Sequence, residues 1–258
     1  MKKMSDILRG KKIVNFGDSI FGNFRAPTDI SSHLARITGA LVYNVGFGGC
    51  RMSEHLYPHF DRFSMYRLAY SVTTRDFSLQ DESFSYEPIG EALPAYFKGS
   101  LELLKSIDFS KVDIATIAYG TNDYTSERKL EGEGRYDTTA FGGAMRYSIE
   151  RLREAYPNLK IAVCSQTYRF WRDKEGNFTN DSATLRCGEN TLLPFLEKTK
   201  EIADEYGLYY IDNYYGSGIC YDNRNECFSE TDGTHPIEYG RILLAENIAR
   251  ELERMLTV

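Results

Sequence analysis

Lys12-Ile13-Val14-Asn15-Phe16-Gly17-Asp18-Ser19-Ile20 is the stretch on which the reading of this chain turns. Ile13, Val14 and Phe16 suit a buried strand, and Gly17 marks where such a strand stops and turns. Ser19 then sits at the carboxyl end of a first strand, the edge at which open α/β sheets bind their ligands. A serine in that place is a candidate nucleophile.

Working outward, a polar, glycine-containing turn follows through Gly22 and Pro27. Ile30, Leu34 and Ile37 then recur at helical spacing, with Thr28 or Asp29 as cap and Gly39 as stop. Leu41 to Val45 reads as a second strand running into Gly46-Phe47-Gly48-Gly49. A strand, a helix and a strand at these distances form a βαβ unit with parallel strands. Residues 50–110 are a long excursion with helical patterns around Phe60 to Val72 and Ala92 to Ile107, separated by a polar, aromatic-rich stretch from Asp76 to Pro88. Val112 to Tyr119 gives a third strand ending at Gly120-Thr121-Asn122-Asp123, and a helix is expected over Thr139 to Ala155. Ile161 to Cys164 is a fourth strand, and Tyr168 to Asn177 reads as a surface excursion. A helix over Glu189 to Tyr206 leads to a fifth strand, Leu208 to Asp212. Pro236 suits the first turn of a last helix, whose apolar face is Ile237, Leu244, Ile248, Leu252 and Met255. The alternation implies an α/β fold, a three-layer α/β/α sandwich with a flavodoxin-like five-stranded parallel sheet in the order 2-1-3-4-5.

At 258 residues without a Pro/Ser/Gly-rich linker, the expectation is a single domain over 1–258. The net charge of −6 comes from mixed signs spread along the chain, which argues against a nucleic-acid partner; Arg169 and Arg172 are too few to reverse that. Residues 1–11 carry charges but no apolar core of a signal peptide, and no apolar run approaches bilayer length. The expectation is a cytoplasmic protein without membrane contact. Cys50, Cys164, Cys187, Cys220 and Cys227 are odd in number and irregular in spacing, and read as free thiols. Cys220 and Cys227 lack a second ligand pair for zinc, and Pro58 breaks the helix that would let His55 and His59 share a metal, so no metal site is expected. His33 reads as solvated.

Four marked segments fall at one sheet edge: Ser19 after strand one, Gly49 after strand two, Asn122 after strand three, and Asp232-Gly233-Thr234-His235 before the last helix. A serine hydroxyl needs an adjacent base, a histidine suits that task, and a carboxylate fixes the histidine's tautomer. Asp232, three residues before His235, can reach the imidazole. The Ser19 and Gly49 N–H groups and the Asn122 side chain are candidate oxyanion donors. Each motif alone has a bland reading: turn residues at 17–19, a tight strand exit at Gly48-Gly49, helix caps at 122–123 and 232. Their order along the chain, each after an expected strand, favours chemistry.

Gly17-Asp18-Ser19-Ile20, the Gly46 to Gly49 segment, Gly120-Thr121-Asn122-Asp123 and Asp232-Gly233-Thr234-His235 resemble the four blocks of the SGNH (GDSL-type) esterase/lipase family, in that family's order. The resemblance implies a hydrolase acting on esters, with Ser19 as nucleophile and first oxyanion donor, Gly49 and Asn122 as further donors, His235 as base and Asp232 as its partner. It implies no cofactor. Cys50-Arg51 departs from the small polar or acidic residue frequent after the family glycine. Gly-x-Ser-x-Gly is not met, since Phe21 stands at the second glycine, which argues against an α/β-hydrolase elbow. Tyr168, Phe170, Trp171, Tyr214 and Tyr215 are candidate substrate-binding residues on loops after strands four and five, with core packing as the commoner fate of aromatics. Rings beside polar groups suit sugar faces, so a small acyl, foremost acetyl, ester on a carbohydrate is the first expectation. A short-chain thioesterase or lysophospholipase-type hydrolase, an acyltransferase, or a binding module without turnover remain as alternatives.

Overall fold

The computed structural model describes residues 6–85 and 90–257. The apolar stretch that opens the chain forms β1 (Lys12–Gly17), in which Ile13, Val14 and Phe16 are fully buried. It is an interior strand, paired in parallel with β2 (Leu41–Asn44) on one side and β3 (Ile114–Ala118) on the other. β4 (Lys160–Cys164) pairs in parallel with β3. Beyond it, β5 (Phe170–Arg172) and β6 (Phe178–Asp181) form a separate antiparallel hairpin, and β7 (Tyr209–Ile211) closes the sheet against β4. The main sheet therefore runs β2-β1-β3-β4-β7, the expected order, with its fifth member seventh in the chain because the hairpin intervenes. Asn15 ties the centre together: its amide donates to Ser31 Oγ (2.8 Å), and its oxygen accepts from Thr116 Oγ1 (2.7 Å).

The helices follow in order: α1 (Ser19–Gly22), α2 (Ile30–Thr38), α3 (Pro58–Asp61), α4 (Met65–Thr74), α5 (Ser78–Glu82), α6 (Phe97–Ser106), α7 (Thr121–Thr125), α8 (Phe141–Ala155), α9 (Leu193–Tyr206), α10 (Arg224–Cys227) and α11 (Glu238–Thr257). α2 packs against α11 as one outer layer, and α8 packs between α4 and α9 as the other, giving the α/β/α sandwich. Asp29 caps α2 by accepting from Ser32 N–H, and Gly39 ends it in the left-handed region (φ 70°), a backbone state open to a residue without Cβ.

Several local expectations change. The turn after Ser19 is a short helix, α1, with Asp18 as its N-cap. The helical pattern at 60–72 is two helices, broken at Arg62–Ser64, and α5 lies within the polar stretch at 76–88, whose residues 86–88 fall outside the described ones. Pro236 does not open the last helix; it bridges to Phe228 in an antiparallel pair, and Ile237 is exposed rather than on the apolar face. His33 is buried (2 % exposed), not solvated, because α2 turns it toward Glu238 of α11, 3.5 Å away. All five cysteines are free, with Cys50, Cys164 and Cys227 buried. Among the described residues there is no cluster of metal-ligating groups and no helix long and apolar enough to cross a membrane.

Candidate active site

β1 delivers Ser19 to the first position of α1, where helix geometry leaves backbone N–H groups without intrahelical partners. Asp18 Oδ1 takes one of them, Ile20 N–H at 3.0 Å. At the other end of the chain, Asp232 and His235 share a tight turn. Asp232 Oδ1 accepts from Thr234 N–H (2.7 Å) and His235 N–H (3.1 Å), and Oδ2 lies 2.7 Å from His235 Nδ1. Burial works to raise the Asp232 carboxyl pKa, but the His235 side chain and these N–H groups outweigh it and hold the group at about 2. An ionised carboxylate only accepts, so Nδ1 carries the proton and Nε2 of the neutral ring is an acceptor. Nε2 lies 2.8 Å from Ser19 Oγ, whose hydroxyl then donates to it. The residues expected as nucleophile, base and orienting acid are thus within hydrogen-bonding reach of one another.

The remaining sequence blocks meet beside Ser19. A Cβ placed on Gly48 would come within 3.4 Å of Ser19 Cβ, so the loop after β2 passes against the serine. Gly48 N–H donates to Tyr96 Oη (2.8 Å), whose hydroxyl donates to Asn23 Oδ1 (3.0 Å). Gly49 is left-handed (φ 75°), which a side chain would strain. Asn122 Nδ2 donates to Cys50 O at 2.8 Å, placing that amide one residue from Gly49 and leaving its second N–H for another acceptor. Asp123, fully buried, accepts from Met52 N–H, Ser53 N–H (both 3.0 Å) and Ser53 Oγ (2.5 Å), locking the same loop to α7. Arg51 donates to Glu54 O and Cys50 O accepts from Asn122, so the residues of the Cys50-Arg51 departure are themselves hydrogen-bonded in this loop.

Tyr96, Asp123 and Arg169 stand around the site although sequence reasoning assigned them no catalytic task. Asp18, next to Ser19, reads from the sequence as a group that steadies the turn or the histidine rather than as a second base, and it holds the turn as the N-cap of α1. Asp18 is 2 % exposed, and burial raises its pKa to about 6 against the lowering effects of Ile20 N–H and the nearby His235. It lines a cavity of about 10 Å³. Tyr119, Thr121, Gln166, Thr167 and Asn213 line the same cavity and carry buried polar atoms with no partner among the described residues. That space is of the order one water molecule needs.

The aromatic candidates divide. Tyr168, Phe170 and Tyr214 are buried (4 %, 1 % and 6 % exposed), a correction to their expected substrate role. Phe170 stacks on Tyr168 and Phe178 and meets Phe228 edge-on, and its N–H donates to Gly233 O at 3.0 Å. It braces the turn carrying Asp232 and His235 from the interior. Tyr214 packs edge-on against Tyr168. Trp171 is half-buried under the Arg169 guanidinium, and Tyr215 stands 69 % exposed beside Tyr214.

Comparison with known proteins agrees with the architecture. The family model described as GDSL-like Lipase/Acylhydrolase matches residues 13–248. No curated protein matches the chain. Among solved structures, a protein described as a possible lipase from Chitinophaga pinensis is 17 % identical with a TM-score of 0.60, covering 95 % of this chain and 98 % of its own. A carbohydrate acetylesterase family member from Sinorhizobium meliloti is 15 % identical with a TM-score of 0.56, covering 96 % and 100 %. The salicylyl-acyltransferase SsfX3 from a tetracycline biosynthetic pathway is 16 % identical with a TM-score of 0.56, covering 98 % of this chain and 57 % of its own. At these identities the likeness concerns the fold.

Proposed function

The chain belongs to the GDSL-like lipase/acylhydrolase family, and on that premise we propose that it is a serine esterase that removes a small acyl group, foremost acetyl, from a carbohydrate ester. The observation that carries the reading is the unbroken run Asp232 Oδ2–His235 Nδ1 (2.7 Å) and His235 Nε2–Ser19 Oγ (2.8 Å). The carbohydrate part rests on the named acetylesterase neighbour and on the two aromatic candidates that keep exposed surface, half-buried Trp171 and exposed Tyr215.

Ser19 Oγ attacks the ester carbonyl carbon as its proton passes to His235 Nε2, and Asp232 stabilises the imidazolium that forms. The carbonyl oxygen, now an oxyanion, is met by Ser19 N–H, Gly49 N–H and the free N–H of Asn122. His235 returns the proton to the alcohol oxygen as the C–O bond breaks, leaving acyl-Ser19. Water, deprotonated by His235, attacks the acyl carbon, and release of the acid restores the serine.

A graded series of p-nitrophenyl esters, with Ser19→Ala as control, tests the proposal. The expected result is a steep preference for acetate and loss of turnover and of fluorophosphonate labelling in the variant. A preference for long chains removes the acetyl reading, and unchanged turnover in Ser19→Ala removes the mechanism. The acyltransferase neighbour motivates a further arm: added sugar acceptor should not divert the acyl group from water.

A further inference from the structure

Arg169 lies one residue before Phe170, whose N–H holds Gly233 of the Asp232–His235 turn. Its guanidinium carbon sits 4.6 Å over the Trp171 ring, and Trp171 meets Tyr124 edge-on at 6.3 Å, two residues beyond Asn122. The cation therefore packs on a ring that meets α7, the helix that carries Asn122, while its own backbone adjoins the residue that braces the turn carrying His235. It is 8 % exposed. Its Nε is buried without a partner, and its terminal nitrogens take no carboxylate or carbonyl acceptor from the described residues.

Other buried arginines are treated differently. Arg146 is clamped by Glu131 and Glu205, Arg241 donates to Thr28 O and Pro236 O, and Arg51 donates to Glu54 O. Burying a cation is costly unless it is paired, and a guanidinium does not escape by losing its proton. Asp18 and Asp232 are near enough to act on Arg169 through space, but neither forms an ion pair with it. Trp171 covers one face of the guanidinium and leaves its edge, the side that forks around a carboxylate or phosphate.

From this we infer that Arg169 is a substrate-binding residue that holds an anionic oxygen group, a carboxylate or a phosphate, so that the ester cleaved at Ser19 belongs to an acidic molecule. The inference rests on the esterase reading for the ester and adds the charge. An O-acylated acidic sugar fits both.

The test uses matched esters on the full chain. 4-Acetoxybenzoate is set against 4-acetoxybenzamide for an anion on the leaving group, and p-nitrophenyl hydrogen succinate against p-nitrophenyl butyrate for an anion on the acyl group. 4-Acetoxyphenyl phosphate separates phosphate from carboxylate. In at least one pair the anionic member should be preferred about tenfold or more in kcat/KM, mainly through KM, the scale of a charge-assisted bidentate contact. Arg169→Gln should collapse that ratio to about one, and Arg169→Lys should keep part of it. A wild-type ratio near one in every pair overturns the inference and needs no variant. A ratio that survives in Arg169→Gln while both rates fall together also overturns it, since that pattern belongs to a structural arginine. Calorimetry on Ser19→Ala reads the same preference as binding. A preserved anion preference there without turnover in the wild type removes the esterase reading and leaves the anion site standing; equal binding removes the anion site alone.

Discussion

Asp18→Asn should stabilise the fold at alkaline pH while doing little for it in acid. The carboxyl is 2 % exposed, and burial raises its pKa from 3.8 to about 6. Between those values the folded chain holds a proton that the unfolded chain has released, so stability falls as pH rises through this window. Above about pH 6 the penalty is constant, and a rise of that size corresponds to about 3 kcal/mol. Asparagine keeps an oxygen for Ile20 N–H and carries no charge at any pH, but it buries two amide donors, which costs about 1 kcal/mol or more if they go unmatched. The net expectation is a gain of roughly 1–3 kcal/mol at pH 8 and none, or a small loss, at pH 4. Urea denaturation followed by circular dichroism at the two pH values measures it, and the difference between the two variant-minus-wild-type values should approach 3 kcal/mol. A difference independent of pH would refute the reasoning, because the effect would then not come from ionisation.

Asp232→Asn offers the imidazole an amide in place of a carboxylate and should cost on the order of 10⁴-fold in kcat, by analogy with other triads, with folding intact by circular dichroism. Asn122→Ala should cost roughly 100- to 1000-fold in kcat with little change in KM, read from steady-state ester hydrolysis. Gly233→Ala would set a Cβ 2.3 Å from Phe170 O. It should lower stability by about 1–3 kcal/mol and kcat with it, seen as a reduced Tm and slower hydrolysis, because the clash is relieved only by moving the turn that carries His235.

The parallel sheet was legible because its strands are short apolar runs ending in glycine or polar turns, as at Phe16-Gly17 and Ala118-Tyr119-Gly120. The grouping of Ser19, Asp232 and His235 was legible because each sits in a distinctive turn at a strand or helix end. The β5–β6 hairpin was missed because Phe170-Trp171-Arg172 is too short to show alternation, and its pairing shifts register at Trp171/Arg172. Ring burial was not legible either. Phe170 and Tyr215 are both aromatics on loops after strands, and only the tertiary packing of Phe178 and Phe228 on Phe170 separates the buried ring from the exposed one. His33 reads as polar at the start of a helix, yet the packing of α2 on α11 buries it.

Asn122 and Asp123 explain how three distant loops act as one site. Asn122 faces the Gly49 loop through Cys50 O, while Asp123 draws in Met52 and Ser53 through three hydrogen bonds from a fully buried carboxylate. Adjacent residues on α7 thus do separable jobs, one presenting a donor and the next fixing the loop that presents another. The serine side is held independently, by Asp18 at the start of α1 and by Tyr96 on Gly48. The base side is held by Phe170 on Gly233. None of these anchors touches the Ser19 hydroxyl, and each fixes backbone, Asp123 taking the Ser53 hydroxyl as well. Pre-positioned donors cost little reorganisation when charge develops, so rigid loops of this kind are what an oxyanion site requires. Arg169 departs from that pattern: its backbone is held, by Ser182 on both N–H and carbonyl, while its charge is left without a protein acceptor. Of the other buried arginines, Arg146 and Arg241 spend their guanidinium nitrogens on carboxylate or carbonyl oxygens and Arg51 gives one to Glu54 O, whereas Arg169 gives none to a described residue, which leaves a place for something that arrives with the substrate.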